Sequence, residues 1–193
     1  MKSKIKVVSL AEVYVNDELL FRSKNKWTRY FMSTMIINIG GIESNPGTHS
    51  SRTHIMGNDW DARVGTDTST PTEPTMSDLV SKVDTPPDSK VRRLIYSSSE
   101  GLYITEFVFS WNAGTLPDMT IGEFGVYLYL GDDSWSSPML NPHTGEGIYD
   151  PYGNSSKRLA SRIASADGSF DAFEFYGSID PLTFKWRFQV AIT

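Results

Sequence analysis

Two carboxylates interrupt apolar strands of this chain, and they are the residues best placed to do chemistry. Glu106 lies in one such strand, and Glu123 lies in the stretch Ile121–Tyr127. A pair of carboxylates could catalyse glycoside hydrolysis, one as the acid and the other as the base or nucleophile. The alternative is structural, since a buried charge needs a partner, and for Glu123 that partner would be strand-end backbone, Arg158 or Arg162. We predict the structural role, no catalytic residue, and a protein that is not an enzyme.

The sequence contains no recognisable motif for binding a metal ion or a cofactor. His49, His54 and His143 are its only histidines, their spacing fits no common zinc motif, and no cysteine is present. The residues 58–61 resemble half of a calcium loop but lack its glycine and its closing glutamate. The sequence also has no glycine-rich phosphate loop. We therefore predict no metal and no cofactor.

Aromatic side chains in loops are the stronger functional signal. Trp135, Tyr149 and Tyr152 lie in a long segment, 131–157, that is rich in Gly, Pro, Asp and Ser. Such aromatics suit a protein interface or the stacking of a sugar ring, besides ordinary loop packing. We predict that this loop, the N-terminal hairpin and a Thr/Pro run at 65–74 make the contacts between copies, because a monomer would leave their apolar side chains exposed. The predicted interface residues are Trp135, Met139, Tyr149, Tyr152, Val13, Val15 and Phe21.

Composition limits the class of protein. The 193 residues fit one domain, and 12% aromatic residues favour β structure. A net charge of −5 argues against a general nucleic-acid-binding protein, which normally carries a basic face. No stretch of 18 apolar residues occurs, so we expect no membrane partner.

The elements that position these residues are mostly strands. From Leu182 to Thr193 large apolar residues alternate with mainly polar ones, which is the period of a strand with one buried face. We predict that Trp186 points inward and that this strand is central in its sheet. Further strands at short spacing indicate a mainly β protein, an antiparallel and jelly-roll-like β-sandwich.

The N-terminal half is predicted to be less regular. We expect a hairpin or arm over residues 1–22 and a single sandwich domain over 23–193. The apolar spacing predicts two short helices in this domain, at about 25–38 and 75–83, followed by strands and by the long loop at 131–157.

The order of these pieces resembles a family of tailed-bacteriophage virion structural proteins. The motifs that match are short and loosely spaced over roughly residues 25–193. They are Asn25, Val64-Gly65-Thr66 with Pro71 and Pro74, Asp78-Leu79, Ile121-Gly122-Glu123-Phe124-Gly125-Val126-Tyr127, Arg158 or Arg162, and Trp186 within Leu182–Ile192. The N-terminal hairpin and the insertion at 131–157 depart from the shared pattern.

The resemblance implies a non-enzymatic component of a virion that is assembled in the host cytoplasm. Such proteins belong to the tail, fibre, baseplate or capsid-accessory parts, and they act by self-association and by docking to other virion structural proteins. The alternative is a carbohydrate-binding module or a glycosidase-like protein that contacts the host surface.

Overall fold

A computed structural model describes residues 5–28, 60–97, 102–129, 139–140, 147–148 and 157–192. Within these residues the protein is mainly β, and its only helical element is a short 3₁₀ turn at Ser165–Asp167. The strands are β1 Ile5–Val15, β2 Glu18–Lys24, β3 Lys26–Trp27, β4 Asp61–Gly65, β5 Lys82–Val83, β6 Ser89–Ser97, β7 Leu102–Trp111, β8 Asp118–Ile121, β9 Glu123–Tyr129, β10 Met139–Leu140, β11 Gly147–Ile148, β12 Lys157–Ala164, β13 Phe173–Tyr176 and β14 Leu182–Ile192.

The first sheet has five antiparallel strands in the order β2-β1-β14-β7-β6. The C-terminal strand β14 is in the middle, as predicted, and it pairs with β1 and β7 along nearly its whole length. Phe184 and Trp186 are buried on one face of this strand, while Lys185 and Arg187 lie on the other. The expected strand and its inward-facing tryptophan are therefore confirmed.

The second sheet has five strands in the order β3-β12-β9-β4-β5, and it is also antiparallel. Two short ribbons, β8–β13 and β10–β11, complete the described strands. The chain passes from the first sheet to the second at Asn25, the residue between β2 and β3.

One apolar core lies between the two sheets. Trp60, which precedes β4, packs on Trp186 of β14 with 5.1 Å between ring centroids. Phe124 of β9 packs on Phe184 of β14 at 5.2 Å, so side chains from both sheets share the same buried cluster. Sheets joined face to face by interdigitating side chains are consistent with the predicted β-sandwich.

The N-terminal hairpin forms, but it is not a separate arm. Asn16 and Asp17 make its turn with φ of 52° and 64°, a left-handed conformation that Asn and Asp tolerate in tight hairpins. Val13 is fully buried, because β1 is paired with β14 and its alternate residues face the core. Val15 and Phe21 also pack against this core. The prediction that these three residues contact other copies is wrong for Val13, which is not exposed, and it stays a prediction for Val15 and Phe21, which are half-buried.

The first predicted helix does not begin where its sequence pattern places it. Residues 26–27 form β3, and the buried Thr28 that follows donates its hydroxyl to the carbonyls of Leu159 and Ala160 on β12. The remainder of the predicted helix, 29–38, lies outside the described residues. Pairing with β12 determines the conformation of 26–28, and local helical periodicity does not.

The second predicted helix, 75–83, is wrong. Residues 74–75 and 80–81 form turns, the backbone between them is irregular, and Lys82–Val83 form β5. The backbone N–H of Leu79 donates to the Tyr127 hydroxyl, and that of Ser81 donates to the Glu123 carboxylate at 2.8 Å. Because these amides bond to side chains of β9, they are not available to carbonyls of a helical turn.

The predicted long loop at 131–157 contains the short hairpin β10–β11 and ends at β12. Met139 is the first residue of β10. Trp135, Tyr149 and Tyr152 lie outside the described residues, so their predicted interface role stays a prediction.

Candidate functional site

The Glu123 carboxylate is bound by Arg162, one of the two arginines that the sequence offered as its partner. Glu123 begins β9 and Arg162 lies on the neighbouring strand β12, and both side chains are fully buried. Nε of Arg162 donates to Oε2 of Glu123 at 2.8 Å, and NH2 lies 2.7 Å from the same oxygen. The pair replaces the hydration that each buried charge has lost.

The remaining donors of Arg162 hold the Thr/Pro run. NH1 donates to the Thr70 carbonyl at 2.8 Å and to the Thr72 hydroxyl at 3.1 Å, and NH2 contacts Asp67 at 3.3 Å. Asp67 in turn accepts the backbone N–H of Thr70 at 2.9 Å. The segment 65–74 is therefore fastened to its own domain, and its expected contacts with other copies stay a prediction.

The surroundings of Glu123 leave its carboxylate no open side for a substrate. Backbone N–H groups of Ser81 and Val80 point at its two oxygens, at 2.8 and 3.4 Å. A general acid or base must reach the proton that it transfers. Glu106, the other candidate, lies on β7 of the first sheet and faces away from the shared core, as Glu123 does on the second sheet. The two carboxylates are not brought together as glycoside hydrolysis would require.

The stretch Ile121–Tyr127 is buried at every position. On the face of β9 that points away from the shared core, its residues contact the segment 78–81, which covers that face. At Gly125 a Cβ atom would lie 2.7 Å from Leu159 and 2.9 Å from Leu79, so glycine allows these leucines to approach. The hydroxyl of Tyr127 donates to Asp78 at 2.5 Å. Burial and this hydrogen bond both raise the pKa of Tyr127, so the hydroxyl stays protonated as a donor.

Asp167 is a second anchor for the Thr/Pro run. It follows β12, accepts the backbone N–H of Thr72 at 3.0 Å, and lies 2.7 Å from Nζ of Lys26. Burial raises the pKa of the Asp167 carboxyl, but the hydrogen bonds from Lys26 and Thr72 outweigh that effect and hold the pKa below its ordinary value. The folded state therefore binds the proton more weakly than the unfolded chain does.

Near neutral pH, the free energy of unfolding of an Asp167→Asn variant is expected to be about 1–3 kcal/mol lower than that of the wild type, because the variant loses charge-assisted hydrogen bonds. A carboxyl with a lowered folded-state pKa stabilises the fold above its unfolded pKa of about 3.9 and loses that contribution as the pH falls through the folded pKa. The difference between variant and wild type should thus shrink on acidification. Urea titrations at about pH 7 and pH 3 measure it.

Asp171→Asn is the matched control, because Asp171 is an exposed aspartate on the same connection between β12 and β13. It should change stability by no more than about 0.5 kcal/mol at either pH. A deficit in Asp167→Asn that is equally large at both pH values would contradict the assigned role of the ionised carboxylate.

The outer face of the first sheet carries a row of alternating charges that the sequence analysis did not identify. Nε of Arg22 donates to Glu12 at 2.7 Å, and NH1 of Arg187 donates to the same carboxylate at 3.1 Å. Nε of Arg187 also donates to Glu106 at 2.5 Å, and Arg93 lies 3.7 Å from Glu106. The row crosses all five strands, from β2 to β6. The alternation along each strand predicts that its charged residue faces outward. Only the pairing register between the strands shows that these charged residues are neighbours.

Both carboxylates of this row are buried beneath their arginines, with 1% exposure for Glu12 and 3% for Glu106. Burial raises the pKa of Glu12, but hydrogen bonds from Tyr14 and Arg22 and the charge of Arg187 lower it below its ordinary value. Burial and the bond to Glu12 raise the pKa of Tyr14, which remains a neutral donor. The row is thus a set of satisfied ion pairs that ties the strands of the sheet together.

Large apolar side chains remain exposed on the described surface in several places. They are Leu19, Leu20, Val80, Val91, Ile95, Tyr176 and Ile179, with exposures between 41% and 71%. Val91 and Ile95 lie on the edge strand β6, and Tyr176 and Ile179 lie on β13 and the turn that follows it. The positions on β6 and beside β13 were not selected from the sequence, because the alternation of a strand does not tell which strand is at an edge.

Among the described residues no group of His, Asp and Glu is placed to hold a metal ion. The three histidines lie outside that part of the chain. In the described part no helix is long and apolar enough to cross a bilayer. No protein family, no curated protein and no solved structure matches this chain. The function is therefore argued from the residues and contacts described above.

Proposed function

We propose that this protein is a non-enzymatic structural component of a bacteriophage particle that acts by self-association and by docking to neighbouring virion proteins. The observation that carries the proposal is the exposure of apolar side chains on the edge strand β6 and beside the ribbon β8–β13. Exposed apolar surface of this kind suits contacts between proteins. The assignment to a virion, assembled in the host cytoplasm, rests on the resemblance of the sequence motifs.

The state of the ionisable side chains supports a structural role. Glu123, Glu12 and Glu106 are each held by arginines, and Glu123 also accepts backbone N–H groups. Ion pairs of this kind fix strand positions, and they leave none of these three carboxylates poised for proton transfer. The proposed protein works without a cofactor, and its partners are copies of itself and other virion proteins, with no nucleic acid and no membrane.

The strand pairing is the basis for describing the fold as jelly-roll-like. β1 pairs with β14, β3 with β12, and β4 with β9, so that early strands pair with late ones in nested order. A long hairpin that is rolled up produces nested pairs of this sort, and jelly rolls of two sheets are common in viral capsid proteins.

The proposal predicts that the purified protein associates in solution. Size-exclusion chromatography with light scattering should give a mass that rises with concentration to a multiple of the 21.6 kDa chain. Mass spectrometry of purified particles of the source phage should detect the protein in a fixed ratio to other virion proteins.

The outcome that would contradict the proposal is a strictly monomeric protein that is absent from particles. A glycan array and an assay of host polysaccharide turnover serve as the opposing measurements. Specific glycan binding, or turnover that Glu123→Gln abolishes, would support the carbohydrate-binding or glycosidase alternative.

A further inference from the structure

The strand β6 forms an open, basic edge of the first sheet. Its only pairing within the described residues is with β7. The strand Ser89–Ser97 contains Lys90, Arg92 and Arg93 and no acidic residue, in a chain whose net charge is −5. Unpaired N–H and C=O groups on an edge can bind another chain, while charges on the edge oppose a like-charged partner and favour one of opposite charge.

Most of the cations on this edge are not used inside the chain. Arg93 lies 3.7 Å from Glu106, but Lys90 and Arg92 are exposed and have no ion-pair partner in the described part of the chain. Val91 and Ile95 alternate with these two cations and therefore lie on the opposite, outer face of the same edge strand, where they are 45% and 41% exposed. Two copies of this edge would repel each other, so the fitting partner carries negative charge next to apolar side chains.

The ribbon β8–β13 presents such a surface on the same chain. Ile121 and Phe175 are buried on its inner side, while Asp118, Glu174 and Tyr176 are exposed on the outer side, where Tyr176 stands opposite Asp118 in the register. Tyr176 is 56% exposed and Ile179, in the turn that follows, is 71% exposed. The segments 112–122 and 165–181 contain no lysine or arginine.

The two surfaces adjoin at one end of the molecule. Asp88, just before β6, accepts the backbone N–H of Asn112 at 2.7 Å, and the N–H of Gly114 donates to the carbonyl of Gly177 at 2.7 Å. The start of β6 is thereby linked to the end of β13. A two-fold arrangement allows each copy to supply both surfaces, since residue i of one copy meets residue j of the other and the reverse.

We propose that the β6 edge of one copy binds the acidic ribbon β8–β13 of a second copy, in a two-fold pair with apolar contacts from Val91, Ile95, Tyr176 and Ile179. This inference rests on the proposed self-association and names the surfaces that make it. Opposite charges at the rim set the orientation, and apolar side chains at the centre are removed from water.

Charge reversal tests the contact in light-scattering titrations of the full chain. Arg92→Glu and Glu174→Lys should each raise the dissociation constant of the pair about tenfold or more, because each places like charges together. An equimolar mixture of the two variants should associate like the wild type, since each variant restores the complementarity that the other lost. Raising the salt concentration should weaken the wild-type pair, because salt screens exposed charges.

Lys24→Glu and Glu73→Lys are the matched controls, because both residues are exposed, lie outside the two surfaces, and produce the same changes in net charge. They should associate like the wild type. If the wild type associates and the variants do not differ from these controls, the β6–ribbon contact is wrong and the proposed self-association stands. If the wild type remains a monomer up to about 1 mM, both are wrong. Circular dichroism of every variant verifies that the fold is retained.

Discussion

An Arg162→Leu variant is expected to lose about 3–5 kcal/mol of its free energy of unfolding, because removing one partner of a buried ion pair leaves the other charge uncompensated. Arg162 and Glu123 are both fully buried, so water cannot replace the lost guanidinium. The substitution also removes the donors that hold the carbonyl of Thr70 and the hydroxyl of Thr72. Urea unfolding followed by circular dichroism measures the loss.

Two further variants separate the charge effect from the loss of packing. Arg162→Leu combined with Glu123→Gln should be more stable than Arg162→Leu alone, because the remaining buried group is then neutral. Arg92→Leu serves as the exposed control, because Arg92 is exposed and has no ion-pair partner in the described part of the chain, so that its loss should change stability by about 0.5 kcal/mol or less. A loss below about 1 kcal/mol in Arg162→Leu would show that the pair does not anchor β9 and β12.

A Trp186→Ala variant is expected to lose a similar amount, about 3–5 kcal/mol, through the cavity that it opens in the core. Trp186 is fully buried at the centre of the first sheet. Its ring packs on Trp60, whose centroid is 5.1 Å away, and on Phe107 at 5.5 Å. The lost contacts join both sheets, so the whole domain should unfold at a lower urea concentration.

Gln189→Ala is the control on the same strand. Gln189 lies three residues further along β14 on its outer face, opposite Ile104 of β7. Its truncation should change stability by about 0.5 kcal/mol or less. If Trp186→Ala cost no more than this control, the assigned direction of the Trp186 side chain would be incorrect.

Strands could be predicted where apolar and polar residues alternate along one continuous segment. The alternation of Leu182–Ile192 predicts both the strand and its buried face, and the structure confirms both. The apolar runs at 91–96, 102–111 and 158–164 predict strands, and β6, β7 and β12 agree closely with these spans. The same reasoning limited the partner of Glu123 to strand-end backbone or one of two arginines, and the structure uses both the backbone and Arg162.

Patterns in the first half of the chain were less informative. The apolar spacing of 75–83 fits a helix, yet its amides bond to side chains of β9. Pairing with β12 likewise places Lys26 and Trp27 in a strand. In both places hydrogen bonds to distant strands outweigh local propensity, which amounts to less than about 1 kcal/mol per residue for ordinary residues.

The sequence by itself determined that β6, β7, β12 and β14 are strands and that β14 has one apolar face, because side-chain alternation is a property of neighbouring residues. Only the tertiary structure decided that β1 pairs with β14, that Val13 is buried, and that Arg22, Arg93 and Arg187 share two carboxylates. It also decided which strand is left at an edge. These outcomes depend on pairing and register between residues far apart in the chain, where a shift of one residue would turn every side chain to the opposite face.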